Sequence, residues 1–403
     1  MRRLLLRDLL QVATPAGPQP SRGADLRSVD LLEEAYVLCR GERIEAVGRM
    51  RDLRPLDGDV EELDCSGLCA VPGLVDCHTH PAWGGDRVAE FSLRAGGASY
   101  EELHAAGGGI LSTVAATRAL TEDELRARVE RHAGWMLAHG TAAWEGKSGY
   151  GLDRETELAS LRAVRAAGGS PTWLGAHAVP PEHADAERYL DFVLADVLPD
   201  AAELADAADV FLERGAFDAA QARRYLEACR ARGLALRLHG DQFTESGAIP
   251  LAVELHARSV DHLEATGDEG IRALAGSEVV GVLLPASALF LDRPMPRARD
   301  LADAGAALAL ATDFNPGSAF TASLPLVASL ACTQLHLAPE EALVALTVNA
   351  AHVLGAGDRG RVARGFRADL TLLAASDWRY LAYHLAGDVV AAVIRGGRIA
   401  HRR

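Results

Sequence analysis

Apolar positions along the chain fall into two textures. Near the N terminus, LLLRDLLQVAT, AYVLCRGERIEAVGRM and EELDCSGLCAVPGLVDCHTH are short apolar runs broken by turn residues such as Arg40-Gly41-Glu42. This is the texture of antiparallel strands. The far C terminus repeats it, with ADLTLLA and then VVAAVIRGGRIAH turning at Gly396-Gly397. Strand-rich ends around a different middle predict one small β-sandwich domain built from both termini, residues 1–69 and 357–403. The middle, residues 70–356, alternates apolar runs with helical segments. The runs are GLVDCHTH, TAAWEGKS, PTWLGAHAV, DVFLERGAF, LALRLHGDQ, SVDHLE, VVGVLLP and LALATDFNPG. Continuous apolar strands suit a parallel sheet buried on both faces. The helices carry start and stop signals. Thr121-x-x-Glu124 is a capping box that opens a helix ending at Gly140, and Pro339 opens another ending at Gly355. Eight such strand–helix units predict an α/β fold, a (β/α)8 TIM-type barrel.

Composition narrows the function. Of 403 residues, 49% are hydrophobic and 24% charged, which excludes a disordered chain, a fibre and a small disulfide scaffold. The formal charge of −15 disfavours nucleic acid and anionic membranes as partners. A small-molecule substrate is the expected partner. A homodimer is compatible with the sequence, which does not fix the oligomeric state. Six cysteines at irregular spacing form no zinc-finger pattern, so free thiols in a cytoplasmic protein are expected. The opening MRRLLLRDLLQ starts like a signal peptide, but Arg7 and Asp8 interrupt it. Asn315 to Pro339 carries no Asp, Glu, Lys or Arg, yet Pro316, Pro325 and several polar residues within it make it a buried loop and helix rather than a membrane span. Lys147 is the only lysine among 41 basic residues.

Barrel enzymes place their chemistry at the C-terminal ends of the strands. The first run ends in His78-Thr79-His80 and the second in Glu145, Lys147, Ser148 and Tyr150. Later runs end in His177, in Glu213, in His239-Gly240-Asp241-Gln242, in His262 and Glu264, and in Asp313 and Asn315. His-x-His on a strand puts both imidazoles on one face, because side chains alternate with period two. Paired neutral imidazoles suit zinc or iron, and His239 with Asp313 are the natural completions. Such an ion lowers the pKa of bound water toward neutrality. Gly146-Lys147-Ser148 resembles the end of a phosphate-binding loop, but Thr141 stands where that pattern needs glycine. Gly107-Gly108-Gly109 is read as a flexible rim loop, since no strand runs into it.

VPGLVDCHTH with later strand-end His, His and Asp resembles the amidohydrolase superfamily, metal-dependent hydrolases on a (β/α)8 barrel. HPAWGGDRVAEFSLR, YEELHAAGGGILSTVAATR, EGKSGYGLDRETEL, LGAHAVPPE, ATDFNPGS and DWRYLAYHLAGDVV resemble the imidazolonepropionase family within it, from about Val71 to the C terminus. The resemblance implies a hydrolase of carbon–nitrogen bonds in cyclic amides. It would open 4-imidazolone-5-propanoate to N-formimidoyl-L-glutamate in histidine degradation. By the same resemblance His78, His80, His239 and Asp313 match the metal ligands. Arg87, Tyr150, His177, Gln242, Asn315, Gly317 and Ser318 match substrate-binding positions, and Asp313, His262 and Gln242 catalytic ones. Arg87 can clamp a carboxylate with parallel hydrogen bonds, Asp313 can move the water proton, and protonated His262 can act as electrophile. Two departures stand out: Gln242 takes a place often held by glutamate, and Leu212 one usually held by cysteine. Binuclear superfamily members bridge two metals with a strand-four lysine. DVFLERGAF has none, so one divalent or trivalent ion per chain, zinc or iron, is expected. The alternatives are another mononuclear cyclic amidohydrolase or deaminase acting on a different small anionic heterocycle, and a non-catalytic barrel.

Overall fold

A computed structural model describes residues 2–97 and 108–403. Both termini contribute to one curled mixed sheet. Strands β1 (Arg3–Pro15), β2 (Val29–Arg40), β3 (Arg43–Arg49), β4 (Glu61–Asp64) and β5 (Cys69–Pro72) come from the N-terminal part. The order along the sheet continues from β5 into three C-terminal strands, Leu370–Leu373, Val390–Arg395 and Arg398–Arg402. The turns fall where glycine can take a left-handed backbone, at Gly41 (φ 55°) and at Gly396 and Gly397 (φ 56° and 69°). β3 and the turn before it also meet the segment that leads into Leu370–Leu373, with Ile44 N donating to Phe366 O and Ala368 N to Glu42 O. The inner face of the sheet closes over Leu4, Leu6, Val37, Ile44, Leu370 and Ile394. One expectation is corrected. β1 pairs antiparallel with β2, but β4 and β5 both run parallel to β1. The chain after β3 crosses back before re-entering the sheet, a connection that strand texture cannot reveal.

The eight apolar runs of the middle form eight parallel strands. They are β6 (Leu74–Asp76), β7 (Thr141–Lys147), β8 (Ser170–Ala176), β9 (Ala207–Leu212), β10 (Ala235–Gly240), β11 (Ser259–His262), β12 (Val280–Leu283) and β13 (Ala307–Leu310). They pair in chain order. The barrel closes just beyond the regular strands, where Asp313 N donates to His78 O and His80 N to Phe314 O. Closure therefore stitches two of the chemically marked segments together. Helices cover the outside. The capping box is formed: Thr121 N donates to Glu124 Oε2 at 2.8 Å, Glu124 N donates to Thr121 Oγ1 at 3.3 Å, and the helix spans Glu122–Ala138. The helical run from Pro339 continues through a widened turn to Val353 and stops before Gly355 (φ 73°). The uncharged stretch after Asn315 is a loop followed by the buried helix Leu324–Thr333. No helix among the described residues is long and apolar enough to cross a membrane. All six cysteines are free.

Candidate active site

Alternation along the barrel strands decides which side chains point inward. On β7, Glu145 and Lys147 are two apart and share a face; on β10, Arg237 and His239 do the same. With Asp209 of β9 and Asp261 of β11 these residues fill the barrel interior, all nearly inaccessible to solvent. Low in the barrel, Arg237 pairs with Glu145, and its Nη2 donates to Val353 O at 3.0 Å. Above them, Lys147 pairs with Glu145 and Asp209. The histidines lie on top.

Four donor atoms converge there. The Nε2 atoms of His78 and His80 are 3.2 Å apart, and those of His80 and His239 are 3.4 Å apart. Asp313 Oδ1 lies 3.5 Å from His78 Nε2 and 3.4 Å from His80 Nε2. A tetrahedral ion bound at about 2.0–2.1 Å sets its donors about 3.3 Å from one another. The donor chemistry fits as well. His78 Nδ1 meets Asp261 Oδ2 at 2.6 Å and His239 Nδ1 meets Asp209 Oδ1 at 3.1 Å. Each carboxylate holds the Nδ1 proton and leaves Nε2 as the lone-pair donor, the arrangement metal-binding histidines need. Burial keeps His239 neutral, holding its pKa down to about 3 although Asp209 pulls the other way. Burial likewise holds His80 well below its ordinary value. His78 moves up instead: burial and Lys147 oppose its charge, but hydrogen bonds with Asp261 and Asp313 outweigh them. A cation at the centre would replace the proton that this pairing attracts. The residues therefore fit a metal ion. His262 is also close, its ring centroid 5.6 Å from His78 and 5.4 Å from His239.

The rim is strained where the chemistry sits. Asp241 (φ 53°), His262 (φ 88°) and Asp313 (φ 53°) all occupy the left-handed region that non-glycine residues avoid. His177 stacks on His80 at 5.7 Å and pairs through Nδ1 with Gly149 O at 2.9 Å. Burial holds its pKa down to about 4. Gly149 (φ 99°) must be glycine: a Cβ there would come within 2.9 Å of His177 Nδ1. Tyr150 follows it, buried 6.0 Å from the His80 ring.

Arg87 stands across the mouth, its guanidinium gripped by Glu90 through Nε at 2.6 Å and Nη2 at 2.5 Å. Its Nη1 faces Gly317, where a Cβ would approach within 3.0 Å. Asn315 spends its amide on its own loop. Its Oδ1 accepts from Gly317 N and Ser318 N, both at 2.8 Å, and its Nδ2 donates to Asp313 O and Ser318 Oγ. Ser318 Oγ in turn donates to Asp313 Oδ2 at 3.3 Å. Gln242 is mostly buried in the segment after β10, and its amide has no hydrogen bond among the described residues.

Of the residues singled out at the strand ends, four do other work, and one of them, Ser148, accepts from Leu174 N at 3.1 Å. Glu145 and Lys147 lie beneath the donors rather than among them. Glu213 accepts from Phe243 N at 2.8 Å and Thr244 N at 3.2 Å, so it pins the loop that carries Gln242. Glu264 lies 3.4 Å from His262 Nδ1. Sequence reasoning missed Asp209, Asp261 and Glu90. It also missed Glu157, which accepts from the backbone of Gly149, Gly151 and Leu152 and so shapes the Tyr150 loop. A charged residue inside an otherwise apolar strand was the available signal for Asp209 and Asp261. Of the glycine-rich segment, Gly107 lies outside the described residues, as do residues 100–106 of the motif before it. Gly109 N donates to Glu90 Oε2 at 2.8 Å.

Residues 103–401 match the amidohydrolase family. An imidazolonepropionase from Rubrobacter xylanophilus is 60% identical over 405 residues, covering 98% of this chain and 97% of the relative. Another, from Chloroflexus aggregans, is 44% identical over 417 residues and covers 98% of each. The chain belongs to the imidazolonepropionase family. Solved structures share the fold at much lower identity. An N-isopropylammelide isopropylaminohydrolase from Burkholderia multivorans aligns with TM-score 0.70 at 20% identity, covering 100% of this chain and 99% of that one. A mutant atrazine chlorohydrolase from Arthrobacter aurescens, complexed with zinc and atraton, aligns with TM-score 0.65 at 16% identity, covering 99% and 95%. Imidazolonepropionase relatives therefore run the length of this chain, and the barrel with its terminal sheet is an amidohydrolase fold.

Proposed function

We propose that this chain hydrolyses 4-imidazolone-5-propanoate to N-formimidoyl-L-glutamate, a step of histidine degradation. Full-length likeness to imidazolonepropionases, with the four-donor cluster intact, carries the reading. His78, His80, His239 and Asp313 would hold one ion, zinc or iron. When bound, such an ion supplies Lewis acidity and brings water toward ionisation at neutral pH.

The protein's own groups do the rest. Arg87 receives the propanoate carboxylate on the edge left free by Glu90. His177 and Tyr150 wall the ring beside His80. Gln242 offers a hydrogen bond to the ring but cannot carry a proton at neutral pH. Asp313 takes a proton from the attacking water and returns it to the ring nitrogen as the C–N bond breaks. Ser318 keeps one Asp313 oxygen oriented while the other faces the histidines. His262 stabilises charge developing on the carbonyl oxygen. Six free thiols favour a cytoplasmic setting, and the acidic chain acts on a small molecule rather than on nucleic acid or a membrane.

The test is the fall in ultraviolet absorbance of the imidazolone on adding purified protein, with elemental analysis of the same sample. Turnover lost on chelation and restored by one equivalent of zinc or iron is expected. Turnover that persists without metal, or no turnover in a fully loaded protein, refutes the proposal.

A further inference from the structure

Beneath the donor cluster lies a buried ionic network that the proposed reaction does not touch. Lys147 Nζ is 2.6 Å from Asp209 Oδ2, 2.9 Å from Glu145 Oε2 and 3.8 Å from Asp261 Oδ2. All four side chains are fully buried. The two aspartates are the ones that hold ligand-type histidines. Asp209 Oδ1 accepts from both the backbone N and Nδ1 of His239, and Asp261 Oδ2 meets His78 Nδ1. Asp209 is thus a two-ended bracket, one oxygen on the histidine and the other on the lysine. The backbone of Lys147 adds a third grip: its N donates at 2.9 Å to Thr79 O, between His78 and His80. His80 has no such bracket, and its buried Nδ1 is without a partner among the described residues.

The residue type agrees with this geometry. Every other basic residue in the chain is arginine. A pocket bounded by three carboxylates from three strands suits a compact ammonium with three diverging donors, and a planar guanidinium does not fit that shape. Without the ammonium, Glu145 would keep Arg237, but Asp209 and Asp261 would lose their shared cation in a dry interior, where like charges repel strongly.

We infer that Lys147 is a positioning residue for metal binding. Its ammonium fixes Asp209 and Asp261 so that His239 and His78 turn their Nε2 lone pairs to one point. The inference rests on the reading of those histidines as metal ligands.

The test is titration of the metal-stripped full chain with cobalt(II) against a chromophoric chelator. The visible cobalt spectrum is recorded, and folding is checked by circular dichroism. Wild type, Lys147→Met, Asp209→Asn and the double variant are compared. Each single variant is expected to bind cobalt about 10- to 100-fold more weakly, with an altered spectrum, as when the groups behind a ligand are lost. If Lys147 acts through Asp209, the double variant falls within about threefold of Asp209→Asn, because the two changes break one linkage. Wild-type affinity and spectrum in Lys147→Met, or fully additive losses, overturn the inference. Should Lys147→Met not fold, Lys147→Gln is titrated in its place, and wild-type affinity and spectrum in that variant overturn the inference. Should neither Lys147 variant fold, the lysine is a folding element and the positioning role is wrong. A wild-type chain that binds no cobalt refutes the metal reading itself, a separate result.

Discussion

Replacing Arg87 by lysine keeps the charge and removes the planar fork. In the structure the guanidinium is committed on one edge, with Nε and Nη2 on Glu90, while Nη1 points past Gly317. Glu90 is itself fixed by Gly109 N. A lysine ammonium placed on Glu90 would have no rigid second edge to offer a substrate carboxylate. The loss is at least one charge-assisted hydrogen bond, about 1.5–3 kcal/mol. At 1.4 kcal/mol per decade, this corresponds to roughly a 10- to 140-fold weakening of substrate binding. The contact is remote from the breaking bond and serves ground and transition states alike. KM should therefore rise by that factor while kcat stays within about threefold. The assay is initial-rate loss of imidazolone absorbance across substrate concentration, on protein with unchanged metal content and circular dichroism. Gly317→Ala pushes on the same Nη1 and should shift KM in the same direction. An unchanged KM in Arg87→Lys would show that the carboxylate is bound elsewhere.

His262→Asn should lower kcat by about 10²–10⁴ with the fold intact, and a loss under about threefold would leave His262 outside the proton and charge chemistry. Thr121→Ala removes the oxygen that caps Glu124 N and should lower unfolding stability in urea by about 1 kcal/mol with no change in kcat. His132 stacks on Trp83 and pairs through Nδ1 with Pro81 O, and burial holds its pKa down to about 4 against an ordinary 6.5. Because the unfolded chain takes up this proton first, the stabilisation is complete above pH 6.5 and is lost as pH falls toward 4. The loss is up to roughly 3 kcal/mol. Urea unfolding of wild type and His132→Gln at pH 7 and pH 4.5 checks this. The wild type should lose more stability on acidification, and equal losses would contradict it.

The eight barrel strands were legible in the sequence because buried parallel strands are continuous apolar runs, and the helices between them carry caps that read locally. The donor set was legible for a related reason: His78, His80, His239 and Asp313 each follow such a run, where a barrel exposes its chemistry. What no local pattern carried was who stands behind whom. Asp209 and Asp261 lie in mid-strand, and their meaning depends on neighbours 30 and 183 positions away, His239 and His78. Lys147 showed as a lone lysine, but only closure of the barrel brings Glu145, Asp209 and Asp261 around it. Arg87 looked like a free clamp, but Glu90, three residues on and in the helix that Arg87 opens, takes one of its edges, a local pairing that the spacing already allowed. The parallel pairing of β4 and β5 with β1 was hidden, because alternation tells which face a side chain takes and not which strand lies beside it. Residue type and local period thus determined the elements and the donors, and tertiary pairing decided how the donors are held, since hydrogen-bond partners distant in sequence meet only when the sheet closes.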